Sequence, residues 1–261
     1  MNVSQALIEM KNVFVRKEDK NILNNINLKI ECGERVAILG QNGSGKSSLI
    51  KTMTGEYRCD SARNGNVKIY GNELWNIFDI RKAFGIVSNE IQTDFRKDMT
   101  AEDAVLSGFF GSIGTNRSQD IDDNMRKKAD SALESVCAAQ LKGRRLKTFS
   151  SGEMRRIIMA KALVNDPEAL ILDEPMNSLD IGGKYLVRRS IEGLADTGHT
   201  LIMVTHDPAD IGPEFKRIIM IKDGVIIRDG GVDILTNENL SELYGVSVSV
   251  YRINERIIAE Y

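Results

Sequence analysis

The segment Gly40-Gln41-Asn42-Gly43-Ser44-Gly45-Lys46-Ser47 ends three spaced glycines in a lysine and a hydroxyl. Glycines let the backbone wrap closely round a phosphate so that successive N–H groups point inward. Lys46 can then reach the terminal phosphates, and Ser47 offers Mg²⁺ an oxygen. The loop follows the apolar run Val36 to Leu39 and precedes a helix expected over Ser48 to Met53. Strand, glycine-rich loop and helix is the context this chemistry requires, because the helix N-terminus adds favourable potential for an anion. A bare turn is the competing reading, and the flanking pattern makes it remote.

A second group lies at Ala169-Leu170-Ile171-Leu172-Asp173-Glu174-Pro175, four apolar residues that end in two carboxylates. A buried strand ending so puts its charges at the rim of a sheet. There Asp173 would hold Mg²⁺ through water, and Glu174 would orient and deprotonate an attacking water. In isolation, exposed acids capping a strand would be the default; beside the phosphate loop they are not. Phe149-Ser150-Ser151-Gly152-Glu153 opens a helix over Glu153 to Val164, where hydroxyls and a glycine make both an N-cap and an anion site. As an N-cap alone this means little; its place upstream of the acidic strand gives it weight.

The elements that must position these groups follow from pattern. Leu7 to Met10, Val13 to Val15 and Ile26 to Ile30 read as strands, as do Val67 to Gly71 and Phe84 to Val87. Thr100-Ala101-Glu102-Asp103 is a capping box with Asp in place of the usual Glu, leading into a helix through Leu106. A polar loop, Gly111 to Asp120, precedes a long charged helix from about Ile121 to Gln140, with Met125, Ala129, Ala132, Leu133 and Val136 on one face. Strands alternating with helices resume, with strands at Ala169 to Leu172 and Thr200 to Val204 and a helix round Gly183 to Ala195. The stretch Arg217 to Tyr261 reads as β-rich, with an Asp223-Gly224 hairpin turn. The implied fold class is α/β with a mostly parallel sheet carrying its ligand at strand C-terminal ends, and with a helical insert.

A length of 261 residues suits one large core with a satellite subdomain, and the apolar and charged fractions are those of an ordinary globular chain. A net charge of -2 gives no sign of a nucleic-acid partner. Cys32, Cys59 and Cys137 are scattered without metal-ligand spacing, which argues for a reducing compartment. No apolar run approaches the ~20 residues of a membrane span, and the N-terminus lacks a signal-peptide layout. A cytoplasmic chain is expected, any membrane role being borrowed from a partner.

Taken together these residues resemble the nucleotide-binding subunits of ABC transporters, over essentially the whole chain. The family order is phosphate loop, glutamine loop, signature, acidic strand, D-loop and switch histidine. Here it reads Gly40 to Ser47 (with Ser48 beside them), Asn89 to Gln92, Phe149 to Glu153, Asp173-Glu174, Asn177-Ser178-Leu179-Asp180, and Thr205-His206-Asp207. The resemblance implies a P-loop NTPase (RecA-like) core over about 1–93 and 160–261, an N-terminal antiparallel β part, and a helical subdomain over about 94–159. It implies an ATPase using ATP and Mg²⁺, with Glu174 and His206 catalytic and Ser47, Gln92 and Asp173 serving the metal. Two copies, or a copy and a paralogue, would face head to tail, placing Ser150 and Gly152 on the γ-phosphate of the opposite subunit, with Ser151, Glu153 and Asp180 also among the ATP-binding residues. A transmembrane permease would be driven from the cytoplasmic face, with Phe95, Phe109 and Phe110 as candidates for the docking surface, although aromatic side chains in such a stretch are more often core.

Three departures matter. The signature reads Phe-Ser-Ser-Gly-Glu in place of Leu-Ser-Gly-Gly-Gln. The adenine-stacking aromatic is missing, its place before Ile22-Leu23 holding Arg16 or Lys17; an arginine plane can lie on a base, and a solvated charge is the other reading. In the glutamine loop Asn89 aligns with the glutamine, while Gln92, three residues on, is favoured as the Mg²⁺ and γ-phosphate sensor. Val87 to Gln92, Leu106 to Gly114 and Leu240 to Val246 resemble a molybdate-transport-like group. A soluble assembly ATPase of the iron-sulfur type, whose signature also ends in Glu, and a nucleotide-dependent regulatory module are the alternatives.

Overall fold

Apolar residues alternate with polar ones along β1 (Ala6–Lys17) and β2 (Lys20–Glu31), burying Leu23, Ile26, Leu28 and Ile30 on one face. In the computed structural model, which describes residues 6–18, 20–60, 63–95, 98–115, 118–254 and 256–261, this pattern makes a long antiparallel hairpin where three shorter strands were expected. Next come β3 (Arg35–Leu39), α1 (Lys46–Met53), β4 (Asn66–Ile69), α2 (Ile77–Ala83), β5 (Phe84–Val87), α3 (Asn89–Asp94), α4 (Ala101–Leu106) and α5 (Asp123–Ser135). They are followed by α6 (Ser151–Leu163), β6 (Ala169–Asp173), α7 (Ile181–Asp196), β7 (Thr200–Thr205), β8 (Arg217–Lys222), β9 (Val225–Gly230), α8 (Asn237–Tyr244), β10 (Ser249–Ile253) and β11 (Arg256–Glu260).

These elements divide into two compact units, 1–83 with 200–261, and 84–199. In the first, β7, β3, β8 and β9 form consecutive strands of a sheet. β3 runs parallel to both neighbours, Ala37 lying beside Met203 on one side and Ile218 on the other. The residues Val36 to Leu39 are fully buried, as a continuous apolar run in a parallel strand requires. β9 returns antiparallel through Asp223-Gly224, whose positive φ values of 49° and 75° are those of a two-residue hairpin turn. The antiparallel β part is a second sheet ordered β2-β1-β4.

In the second unit β5 pairs in parallel with β6, Val87 beside Leu172. Helices α4, α5 and α7 pack on α6, which buries Ile157, Ile158, Met159 and Ala160. The capping box before α4 forms as expected: Thr100 Oγ1 accepts from the Asp103 N–H at 3.2 Å, and the Asp103 carboxylate accepts from the Thr100 N–H at 3.3 Å. The charged helix is shorter than its pattern suggested. It stops at Ser135 because Cys137 takes φ 53°, which no right-handed helix admits.

Lys161 on α6 donates to Ser107 Oγ at 2.7 Å and to the Ser112 carbonyl, and lies 5.3 Å from the Phe95 ring centroid. Phe95 is therefore buried beneath an ammonium group, which favours its core reading over the docking surface; Phe109 and Phe110 are half-buried. Burial lowers the Lys161 pKa to about 8, against about 10.4 unfolded. Between those values the folded group is neutral and the unfolded one still protonated, so its contribution to stability rises with pH and is lost as pH falls through 8. The Tm of the wild type should therefore gain on that of Lys161→Met between pH 8 and pH 10. A difference that stays flat across this window would exclude the shifted lysine.

No helix among the described residues is long and apolar enough to cross a membrane.

Candidate functional site

In the first unit, β3 delivers the chain into the loop and α1 takes it out, so the order expected from sequence holds. Lys46 is buried at 5% exposure, and its ammonium donates to the carbonyl oxygens of Gly40 at 2.7 Å and Gln41 at 2.9 Å. The cation thus closes the loop on itself from within. The loop is anchored from outside as well: the Gly40 N–H donates to the Thr205 carbonyl at 3.3 Å, and the Gly224 N–H to the Ser44 carbonyl at 2.8 Å. A Cβ at Gly40 would stand 2.4 Å from the Ile221 carbonyl oxygen, so no larger residue fits.

Asn42, Gly43 and Ser47 are exposed, and Gly45 and Ser48 half-buried. Ser44 Oγ is buried with no hydrogen-bond partner among the described residues. An orphaned hydroxyl in a glycine-rich loop fits a phosphate oxygen. Ser47 Oγ and the Asp173 carboxylate are hard oxygen donors of the kind Mg²⁺ takes alongside phosphate and water. The described residues hold no cluster of three or more His, Cys, Asp or Glu that would form a protein-only metal cage.

The β1–β2 hairpin borders the same loop. A Cβ at Gly45 would lie 3.0 Å from the Ile22 carbonyl and 3.2 Å from Leu23 Cδ2. Arg16 is exposed on β1 opposite Asn21, on the hairpin that ends there.

His206 is half-buried directly after β7. Its loop is held by Thr205 Oγ1, which donates to Asp210 Oδ2 at 3.0 Å and accepts from the Asp207 N–H at 3.1 Å. The Asp207 carboxylate caps the next turn, accepting from the Ala209 N–H at 2.9 Å. The Tyr244 hydroxyl donates to the His206 carbonyl at 2.7 Å.

In the second unit, Asp173 is the last residue of β6 and Glu174 the first beyond it. Glu174 takes φ 49°, a left-handed backbone rare for a residue with a side chain and a mark of functional corners. Its Oε2 accepts from Asn177 Nδ2 at 2.9 Å, and the Asn177 N–H returns to the Glu174 carbonyl at 3.2 Å. Asn177 was expected only as a D-loop member; here its amide orients the carboxylate. Asp180 caps α7, accepting from the Gly183 N–H at 2.6 Å.

Because Val87 pairs with Leu172, Ser88-Asn89 and Asp173-Glu174 leave the sheet side by side. Asn89 Oδ1 accepts from Arg155 Nη2. Arg155 is 1% exposed, and burial lowers its pKa against the pull of the Asp173 and Glu174 charges. Its Nε and Nη1 have no partner among the described residues. Sequence reasoning missed this buried cation, whose one signal was an arginine pair inside an otherwise apolar helical stretch. Gln92 falls within α3, and its side chain lies outside the described residues.

Ser150 is the N-cap of α6, with Glu153 closing the box: the Ser150 N–H donates to Glu153 Oε2 at 2.9 Å and Ser150 Oγ accepts from the Glu153 N–H at 3.2 Å. Burial works against the Glu153 charge, but the Ser150 N–H and Arg144, 2.7 Å away, outweigh it and hold the carboxyl below its usual range. Glu in place of Gln thus strengthens the cap, and helix α6 starts two residues earlier than expected. Ser151 is exposed. Gly152 is buried, and a Cβ there would lie 2.8 Å from Gly183 Cα, so the N-termini of α6 and α7 approach glycine to glycine.

The family model for the ABC transporter matches residues 23–177. A putative ABC transporter ATP-binding protein of Streptococcus mutans is 32% identical over 256 residues, 96% of each chain. The ABC transporter ATP-binding protein ModF of Escherichia coli, of the molybdate-like group, is 32% identical over 86% of this chain but only 46% of its own length, a distant likeness that adds nothing for that subgroup. Among solved structures, the bacterial ABC transporter cassette MJ0796, dimeric, is 26% identical with a TM-score of 0.70, covering 86% of this chain and 98% of its own; MJ0796 is also known as a dimer bound to ADP and phosphate.

Proposed function

The chain belongs to the ABC transporter family of ATP-binding proteins, and from that premise we propose how its residues divide the work. It is an ATPase and a transport subunit; the assembly-ATPase alternative is not favoured. In the phosphate loop, the Lys46 ammonium and the inward N–H groups neutralise and grip the β- and γ-phosphates, with Ser44 Oγ free to donate to one of their oxygens. Ser47 and Asp173 would hold Mg²⁺, which when bound would supply positive charge to the phosphates. Glu174, aligned by Asn177, takes the proton of the attacking water. His206 contacts the γ-phosphate or that water. The helix N-terminus at Ser150 to Glu153 presents an anion site to a second copy, arranged head to tail, with Asp180 beside it.

The observation that carries this reading is the loop itself: a buried lysine pinned on two loop carbonyls beside a buried serine hydroxyl with no partner among the described residues. Asn89 rather than Gln92 stands at the glutamine's aligned position, and its tie to Arg155 gives it a structural partner there. Arg16 lies on the hairpin that borders the loop and is the candidate for the base, which it would cover less well than an aromatic ring. The driven component is a transmembrane permease, met at the membrane's cytoplasmic face. Purification from membranes of the native host with ATP and without it tests the last step: one integral membrane protein should copurify. Recovery of none in either condition would turn the reading to a chain that works without a permease.

A further inference from the structure

Tyr244, the last residue of α8, is bonded to two loops at once. Its hydroxyl donates to the His206 carbonyl at 2.7 Å, and its own carbonyl accepts from the side-chain amide of Gln41. Gln41 is the second residue of the phosphate loop and His206 the residue read above as sensing the γ-phosphate. The tyrosine belongs to the segment Leu240 to Val246.

The position of Tyr244 is itself imposed. Thr236 caps the start of α8, and Gly245 ends it in a left-handed conformation, φ 70°, its N–H on the Ser241 carbonyl at 2.8 Å. Leu240 and Leu243 are fully buried. Arg228 Nη2 donates to Glu242 Oε2 at 2.7 Å, and Lys222 Nζ to the Glu242 carbonyl, which tie the helix to the β8–β9 hairpin. Burial, with the Asp207 carboxylate adding to it, pushes the phenol pKa up, so the hydroxyl remains a donor throughout the physiological range.

Beside these contacts lies a cavity of about 450 Å³ whose lining includes Gln41, His206, Asp207, Tyr244, Val248 and Tyr261. Packing therefore does not brace His206 on that side. Where close packing is missing, a directed hydrogen bond decides where a backbone segment sits.

We propose that Tyr244 is a positioning residue: its hydroxyl sets the backbone of His206 while its carbonyl holds Gln41, so that the switch loop and the phosphate loop are placed by one rigid helix end. This rests on the reading of His206 as a group that touches the γ-phosphate or the attacking water. A tyrosine that merely fills space would satisfy its hydroxyl in the same way, so the test must read His206 rather than stability.

The full chain with Tyr244→Phe retains the ring and loses one bond. Its kcat should fall about tenfold, part of the ~100-fold that a misplacement of 1 Å can cost, with ATP affinity within about twofold of wild type and Tm little changed. The chain has two histidines, so ring C–H resonances assigned with His206→Ala report the site directly. In Tyr244→Phe the His206 resonances should shift and those of His199 should not. An unchanged kcat, or a fall in kcat with His206 resonances unmoved, would overturn the proposal. Hydrolysis by His206→Ala at the wild-type rate would instead remove the role given to His206, a separate failure.

Discussion

Glu174→Gln is expected to bind ATP normally and to hydrolyse it about 10²- to 10⁴-fold more slowly, the contribution of a positioned general base. The amide has nearly the carboxylate's shape and retains an oxygen to accept from Asn177 Nδ2, so the corner at φ 49° has no steric reason to change. What it loses is the ability to take a proton. Binding and chemistry thereby separate: ATP enters, the two copies close on it, and the reaction that would open them does not proceed. The variant should accumulate as an ATP-bound dimer, visible as a doubling of mass by light scattering on adding ATP and absent with ADP. Asn177→Ala gives a graded companion, since it leaves the base in place but unaligned, and its rate should fall between the two. Hydrolysis by Glu174→Gln at the wild-type rate would sink the assignment of Glu174.

How much of this is legible in the sequence depends on how local each signal is. The phosphate loop, the Asp173-Glu174 strand end and the Thr100 capping box are contiguous segments whose chemistry is complete within a few residues, and each lies where its pattern placed it. Helix α8 was missed because the surrounding segment alternates like strand. The signal was present in Thr236 as N-cap, Leu240 and Leu243 three apart, and Gly245 at the stop. Arg155 and Tyr244 were illegible for another reason. Arg155 meets Asn89 across 66 residues and Tyr244 meets His206 across 38, and no spacing rule spans such distances. Gly152 shows the opposite limit. The signature glycine invites a reading as anion contact, yet its distance to Gly183 gives it a packing duty that no linear motif displays. Phe95 takes the core place that is the commoner one for an aromatic, and only the fold brings Lys161 over it.

Lys46→Ala should fail at the earlier step. Removing the ammonium deletes the charge that faces the phosphates and also the internal brace of the loop, since the carbonyls of Gly40 and Gln41 lose their shared donor. Hydrogen bonds to charged groups contribute about 1.5–3 kcal/mol, so ATP affinity should weaken by roughly 10- to 100-fold, each 1.4 kcal/mol being a factor of ten. A titration with a fluorescent ATP analogue measures this directly, and unaltered affinity would show that Lys46 serves the fold alone. Lys46→Arg is not a gentle control: the buried ammonium is a point charge between two carbonyls, and a planar guanidinium with diverging donors would meet them in a different geometry. Lys46→Met is the better one, filling the stem's volume without the charge. If the packing of the buried stem were what mattered, Met would restore binding that Ala loses. If the charge matters, Met and Ala should bind ATP equally weakly, and neither should form the dimer that Glu174→Gln accumulates.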